Sequence, residues 1–115
     1  MPDDLSAEDA KLVTLARGAR GRIGAATGAA LRDETGRTYS AADVVLPSLK
    51  VTSLELAIAQ AVAAGARGAE AAAVVTDDPD AFVVPTALAE LSPTALLIVC
   101  RADGTVERRM DGSGP

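Results

Sequence analysis

The stretch TSLELAIAQAVAAG, residues 52–65, decides most of the fold. Thr52 and Glu55 have the spacing of a capping box, in which a hydroxyl and a carboxylate each satisfy a backbone donor at the start of a helix. Apolar residues then occupy both sides of the stretch until Gly65. We therefore predict a buried helix from Thr52 to Ala64, covered by a sheet on one side and by another copy of the chain on the other, in a dimer or a tetramer.

Strands and further helices are predicted on both sides of this core helix. An antiparallel hairpin precedes it, and strands alternating with helices follow it, which predicts an α/β fold with one mixed five-stranded sheet and helices on its faces. In chain order the predicted elements are a helix from Ser6 to Gly24, strands Gly28–Arg32 and Thr38–Val45, a connecting loop at Leu46–Leu49, the core helix, a buried strand Ala71–Thr76, a short helix Pro85–Leu91, and strands Ala95–Arg101 and Thr105–Arg109.

The length of the chain suits a single domain, because one core usually organises a chain of this size. The chain has 115 residues, and we predict one domain over residues 1–109 and a disordered tail over residues 110–115. The start, Met1–Leu5, lacks the basic and apolar segments of a signal peptide. The single cysteine, Cys100, permits no intramolecular disulfide and lies in an apolar run, so we expect a packed thiol and a cytoplasmic protein.

Composition excludes several classes of function. The chain has no His and one Cys, so it lacks the donors of a tetrahedral zinc site and the imidazole of a Ser–His or Cys–His pair. We therefore expect no metal and no other cofactor. With 11 basic and 16 acidic residues the net charge is −5, which opposes binding to phosphate backbones and anionic lipid. Nucleic acid and membranes are not expected partners, and no protein partner is indicated apart from another copy.

Several short words of the sequence, in order and spacing, resemble the cytidine deaminase family of zinc-dependent nucleoside deaminases. The resemblance covers nearly the whole chain and implies that family's three-layer arrangement. The matching words are Gly28-Ala29-Ala30-Leu31 for the family's G-A-A-L strand, Thr35 to Tyr39 for its D-G-x-x-Y turn, Ile58 to Gly65 for the end of its core helix, Leu88-Ala89-Glu90-Leu91 for its L-A-E-F, and Ala102 to Val106 for its last hairpin.

The family holds its zinc with a C-A-E or H-A-E word at the start of the core helix and a P-C-x-x-C word downstream. Counting back from Gly65 without gaps puts the first ligand at Thr52. Counting back from Leu88 puts the two thiolates at Ala81 and Val84. Because Thr, Ala and Val cannot hold the metal, the resemblance implies a divergent member without the zinc motifs.

Glu55 has two interpretations. A shift of one residue aligns Ser53-Leu54-Glu55 with C-A-E and makes Glu55 the counterpart of the family's proton-shuttling carboxylate, whereas the shift-free count puts Leu54 there. The capping box explains Glu55 without catalysis, and we favour that reading.

The positions that bind substrate in the family have also changed. The aromatic segment before G-A-A-L is shortened to Ile23–Thr27 and has no ring, and of the family's ribose-binding N-x-E-N only Asp43 remains as a polar candidate. The chain carries only two aromatic residues, Tyr39 and Phe82, too few for a nucleobase sandwich.

Three functions follow from these observations. The one we favour is an oligomeric, non-catalytic binding or scaffolding module that has lost zinc and deamination. An alternative is a residual nucleoside-processing enzyme that uses Glu55, Asp43 or the acidic turn Asp77–Asp80. Another is a sensor of small anions or nucleotides at the N-terminus of the core helix, with the hydroxyls of Thr52 and Ser53 as contacts.

Overall fold

Helix α1, Ala7–Ile23, opens the fold as its sequence predicts. The structure is a computed structural model that describes residues 5–114. The Ser6 hydroxyl accepts a hydrogen bond from Asp9 N at 3.1 Å and caps the helix, and Gly24 ends it with φ of 62°. The expectations for Met1–Asp4 and for Pro115 lie outside the described residues.

A mixed sheet of five strands forms the middle of the molecule, as predicted. Its strands are β1 Thr27–Asp33, β2 Thr38–Ala42, β5 Ala69–Thr76, β6 Leu96–Arg101 and β7 Val106–Asp111. The strand order is β2-β1-β5-β6-β7, with β5 and β6 parallel and the other neighbours antiparallel. The parallel pair is joined through helix α3, Thr86–Leu91, and a helix is the usual connection between parallel strands.

The sheet separates two hydrophobic cores, because successive strand residues point to opposite faces. Helix α1 covers one face, where Leu12 and Ala16 pack with Val75 and Ile98. Helix α2, Ser53–Ala63, covers the other face together with α3, and Leu54 packs there in a separate core. The three-layer arrangement is therefore complete within one chain.

Gly28 allows α1 to approach the sheet closely. A Cβ atom at this position would lie 2.2 Å from the backbone oxygen of Ala16, a distance that no real contact reaches. The G-A-A-L word thus has a structural reason, since its glycine lies under the helix and its next three residues, Ala29, Ala30 and Leu31, are fully buried.

Helix α2 is buried on one side only within the chain. Leu54, Ala57 and Ala61 are at most 1% exposed, but Ala59 and Ala63 are exposed and Val62 is 52% exposed. No element of the described residues covers the outer side within the chain. The predicted burial of both sides requires a second copy and stays a prediction.

Two segments differ from the expectations. The loop predicted at Leu46–Leu49 is the turn of a separate two-stranded hairpin, β3 Val44–Leu46 and β4 Leu49–Val51, because Pro47 lies at the turn, where it interrupts no ladder. The predicted tail from residue 110 is also wrong at its start. Met110 and Asp111 extend β7 opposite Leu97 and Leu96. Within the described residues no helix is both long and apolar enough to span a bilayer.

Candidate functional site

The N-terminus of α2 is held by the predicted capping box. Glu55 N donates to Thr52 Oγ1 at 3.3 Å, and the Glu55 carboxylate accepts from Thr52 N at 3.1 Å and from the Thr52 hydroxyl at 2.9 Å. The capping box is therefore confirmed. Both the hydroxyl of Thr52 and the carboxylate of Glu55 are engaged with each other at an exposed position.

Asp43 ties the start of α2 to the sheet. Its Oδ1 accepts from Ser53 N at 3.0 Å and from the Thr27 hydroxyl at 2.8 Å, and its Oδ2 accepts from Thr27 N at 2.7 Å. Thr27 is the first residue of β1, and Asp43 lies between β2 and β3. One carboxylate thus joins the sheet, the hairpin connection and the helix.

Ser53 belongs to the same network. Its hydroxyl lies 2.6 Å from Thr27 Oγ1, and its side chain is buried. Because the one hydroxyl proton of Thr27 is directed to Asp43, the proton of this contact comes from Ser53. The result is a relay in which Ser53 donates to Thr27 and Thr27 donates to Asp43.

A cavity of about 340 Å³ lies beside this network. Its lining includes Thr52, Ser53 and Leu54 at the helix start, Thr76 and Asp78 at the end of β5, and Ala81, Phe82 and Val83. Asp43 and Thr27 also contribute to its wall. The structure therefore brings together Asp43, Thr52, Ser53 and Ala81 from the sequence-based candidates.

Val84 and Glu55 do not join this cavity. Val84 lines a neighbouring cavity of about 290 Å³, and Phe82 and Val83 occupy the wall where a second downstream ligand would be needed. Glu55 faces its capping partner Thr52.

The donor set around the cavity does not fit a zinc ion. The helix contributes hydroxyls and hydrocarbons, and the carboxylates in the lining are Asp43 and Asp78, whereas a tetrahedral protein zinc site takes most of its ligands from thiolates and imidazoles. Within residues 5–114 there is no group of three His, Cys, Asp or Glu side chains that could hold a metal ion. The Asp43 carboxylate is held by Thr27 and Ser53.

Arg108 positions the segment that carries Ala81. Its Nη2 donates to the backbone oxygens of Pro79 at 2.7 Å and Phe82 at 3.3 Å. Arg108 belongs to the predicted strand Thr105–Arg109, and its contact with the loop depends on where the fold places β7. Arg101, in contrast, forms an ion pair with Glu107 on the exposed surface.

Sequence reasoning missed two residues of the site. Thr27 was counted only as part of a shortened segment, although it makes three contacts with Asp43 and Ser53. Phe82 was counted only as one of two rings, and it lies in the cavity wall. A Ser at the predicted start of a helix and an Asp inside the preceding predicted strand are the signals that the sequence offers for the network.

A second aspartate, Asp33, is the last residue of β1, just before the turn to β2, and is 2% exposed. Its Oδ1 accepts from Thr35 N, the Thr35 hydroxyl and Arg37 N, and its Oδ2 accepts from the Tyr39 hydroxyl at 2.8 Å. Burial alone raises the pKa of Asp33, but these hydrogen bonds outweigh it and hold the pKa at about 2.

The three layers and the strand order define a cytidine deaminase fold. The structure is similar to the 1.6 Å crystal structure of cytidine deaminase from Burkholderia pseudomallei, with a TM-score of 0.77 and 24% sequence identity over 95% of this chain and 94% of that chain. A family model described as cytidine deaminase-like matches residues 5–104. The chain therefore belongs to the cytidine deaminase-like family. A search of curated proteins found no match.

Proposed function

We propose that this chain is a non-catalytic member of the cytidine deaminase-like family that has lost zinc binding and deamination and works as an oligomeric binding module. The observation that carries the proposal is the replacement of metal donors at the start of α2 by the relay from Ser53 through Thr27 to Asp43. In this arrangement hydrogen bonds hold the helix and the sheet together at the place where relatives use a metal.

The chemistry around the cavity supports this proposal. A zinc-bound hydroxide needs a metal held by several strong donors, and among the residues that line the cavity only Asp43 and Asp78 carry a carboxylate, with no thiolate or imidazole beside them. The hydroxyl of Ser53 donates to Thr27, and its backbone N–H donates to Asp43. The donors of Ser53 are thus paired with acceptors of Thr27 and Asp43, so these hydrogen bonds can hold the site together without an ion.

The two alternatives have less support. Glu55 accepts two hydrogen bonds from Thr52, as a helix cap does, and it does not line the cavity. An anion at the start of α2 would compete with Asp43 for Ser53 N and would lie beside two carboxylates. We therefore favour neither an acid–base enzyme nor an anion sensor.

The test for lost catalysis is a deaminase assay on the purified chain with cytidine, with and without added zinc. We expect no uridine above the level of a buffer blank in either condition. Uridine formation that disappears in Glu55→Gln would overturn the proposal and assign the activity to the shifted alignment. A Glu90→Gln variant is the control, since Glu90 is exposed on α3.

The test for assembly uses the outer side of α2. We expect Ala59→Glu to lower the molar mass measured by light scattering, because a charge placed in an apolar contact loses its hydration. Ala10→Glu on the exposed side of α1 is the matched control and should leave the mass unchanged. An Ala59→Glu protein with the mass of the parent chain would remove the oligomer from the proposal.

A further inference from the structure

A second and larger cavity adjoins the relay. This groove, of about 500 Å³, lies between the end of α1 and the β3–β4 hairpin, and its walls are aliphatic, with Ile23, Val44, Val45 and Val51 among them. It shares Thr27, Asp43 and Thr52 with the smaller cavity. The groove therefore combines an apolar wall with a single carboxylate.

The two hydroxyl groups that line the groove have no proton left for a ligand. Thr27 donates its hydroxyl proton to Asp43, and Thr52 donates its own to Glu55. Each side-chain hydroxyl has one proton, so both threonines offer only lone pairs to a guest. In the part of the chain that the structure describes, Lys50 is then the one donor among the groove's side chains.

Asp43 retains capacity to accept. A carboxylate has about four acceptor positions, and Asp43 uses three of them, two on Oδ1 and one on Oδ2. The remaining position on Oδ2 belongs to the residue that links both cavities. A hydrogen-bond donor with a positive charge is the group that this position accepts best, because a charge-assisted hydrogen bond is about twice as strong as a neutral one.

We infer that the groove binds a small aliphatic molecule that carries a primary ammonium group, with the ammonium on Asp43 and the aliphatic body against the valines. This inference rests on the proposed function in one respect, since the loss of deamination leaves the groove and Asp43 to a ligand other than the family's nucleoside. Lys50 is exposed at the groove, and its positive charge repels the ammonium. The solvent between the two charges screens this repulsion.

The test uses three probes of equal length that differ in the polar group: n-hexylammonium, 1-hexanol and hexanoate. Each is titrated into the full chain, and backbone amide shifts are followed by NMR. We expect shifts at Thr27, Val45 and Val51 that saturate first with hexylammonium, later with hexanol and not with hexanoate. Equal or tighter binding of hexanoate would overturn the inference, and so would an absence of shifts with all three probes.

Charge substitutions in the groove wall test the sign of the interaction. Val45 is 73% exposed, so its replacement leaves the core intact. Both Val45→Lys and Val45→Glu remove the same aliphatic contact, so we expect hexylammonium to bind Val45→Glu more tightly than Val45→Lys, with Ala10→Lys as a control that leaves the affinity of the parent chain unchanged. Asp43→Asn should weaken binding about tenfold, the loss of one charge-assisted hydrogen bond. Identical affinities in Val45→Lys and Val45→Glu would contradict the inference even if Asp43→Asn fails to fold.

The zinc content of the same sample separates the two proposals. A zinc-free protein that shows no shifts leaves the proposed function standing and removes only the ligand. A protein with one bound zinc per chain contradicts the proposed function whatever the probes show.

Discussion

Asp33 and Asp43 make similar bonds in two different places. Asp33 is the last residue of β1, is 2% exposed, and accepts four hydrogen bonds from Thr35, Arg37 and Tyr39. Asp43 lies between β2 and β3, accepts three, and borders two cavities. Both carboxylates organise the backbone around them, but of the two only Asp43 lines the cavities described above.

The comparison separates structure from binding by burial. A buried carboxylate that accepts hydrogen bonds from its own turn contributes to folding. A carboxylate at the wall of an apolar groove combines folding with recognition. Asp33 therefore serves the turn, whereas Asp43 serves both the α2 start and the groove.

The largest effect on stability is expected for Asp33→Ala. This change leaves the Tyr39 hydroxyl and the N–H groups of Thr35 and Arg37 without their acceptor. We expect the urea midpoint to fall further for Asp33→Ala than for Asp43→Ala, with exposed Asp80→Ala close to the parent chain. Equal losses at Asp33 and Asp43 would contradict the distinction between a buried carboxylate and one at the wall of a groove.

Acid should act on the same residue. The pKa of Asp33 is about 2 in the folded chain against 3.8 as its ordinary value, so the ionised form favours folding. The contribution is complete above pH 3.8 and is lost as the pH falls from 3.8 towards 2. We expect the free energy of unfolding to fall across this interval less steeply in Asp33→Asn than in the parent chain. Parallel curves would show that Asp33 is not linked to folding.

Asp43→Ala is expected to lower the free energy of unfolding by about 1 to 2 kcal/mol, the range found for the loss of a helix cap. It removes the acceptor of Ser53 N at the start of α2 and of both Thr27 donors. Urea denaturation gives the free energy, and circular dichroism checks that the helices persist. A cost below the error of the measurement would mean that Asp43 does not hold the helix to the sheet.

The smallest effect is the coupling between Thr27 and Ser53. A double-mutant cycle with Thr27→Val and Ser53→Ala should give a coupling energy of about 0.5 to 1 kcal/mol, because the two hydroxyls are in direct contact. The pair Thr14→Val and Ser53→Ala is the control, since the Thr14 hydroxyl bonds Ala10 O on the outer side of the fold. An additive Thr27–Ser53 cycle would contradict the relay.

Much of the fold was predictable from local patterns. The Ser6 cap of α1 and the capping box at Thr52 follow from side chains that bond to nearby backbone groups. Strand β6 follows from an apolar run of strand length. The order of these elements led to the mixed sheet. The resemblance to the family implied the three-layer arrangement. The close approach of α1 at Gly28 gives a structural reason for the glycine of the G-A-A-L motif.

The site was only partly predictable, because its contacts join residues far apart in the chain. Asp43 and Ser53 were candidates, yet nothing local says that one carboxylate accepts from both Ser53 and Thr27. The β3–β4 hairpin was missed because Pro47 predicts a break, and a tight turn satisfies that break equally well. The extent of β7 was missed because its pairing with Leu96 and Leu97 is a tertiary contact.

Elemental analysis of the purified chain, with an independent protein concentration, tests the central claim most directly. The protein is prepared in buffer supplemented with zinc and then passed through a desalting column. The account predicts zinc far below one ion per chain, because hydrogen bonds among Ser53, Thr27 and Asp43 stand where donors to a metal are needed. One zinc per chain that survives desalting would contradict it.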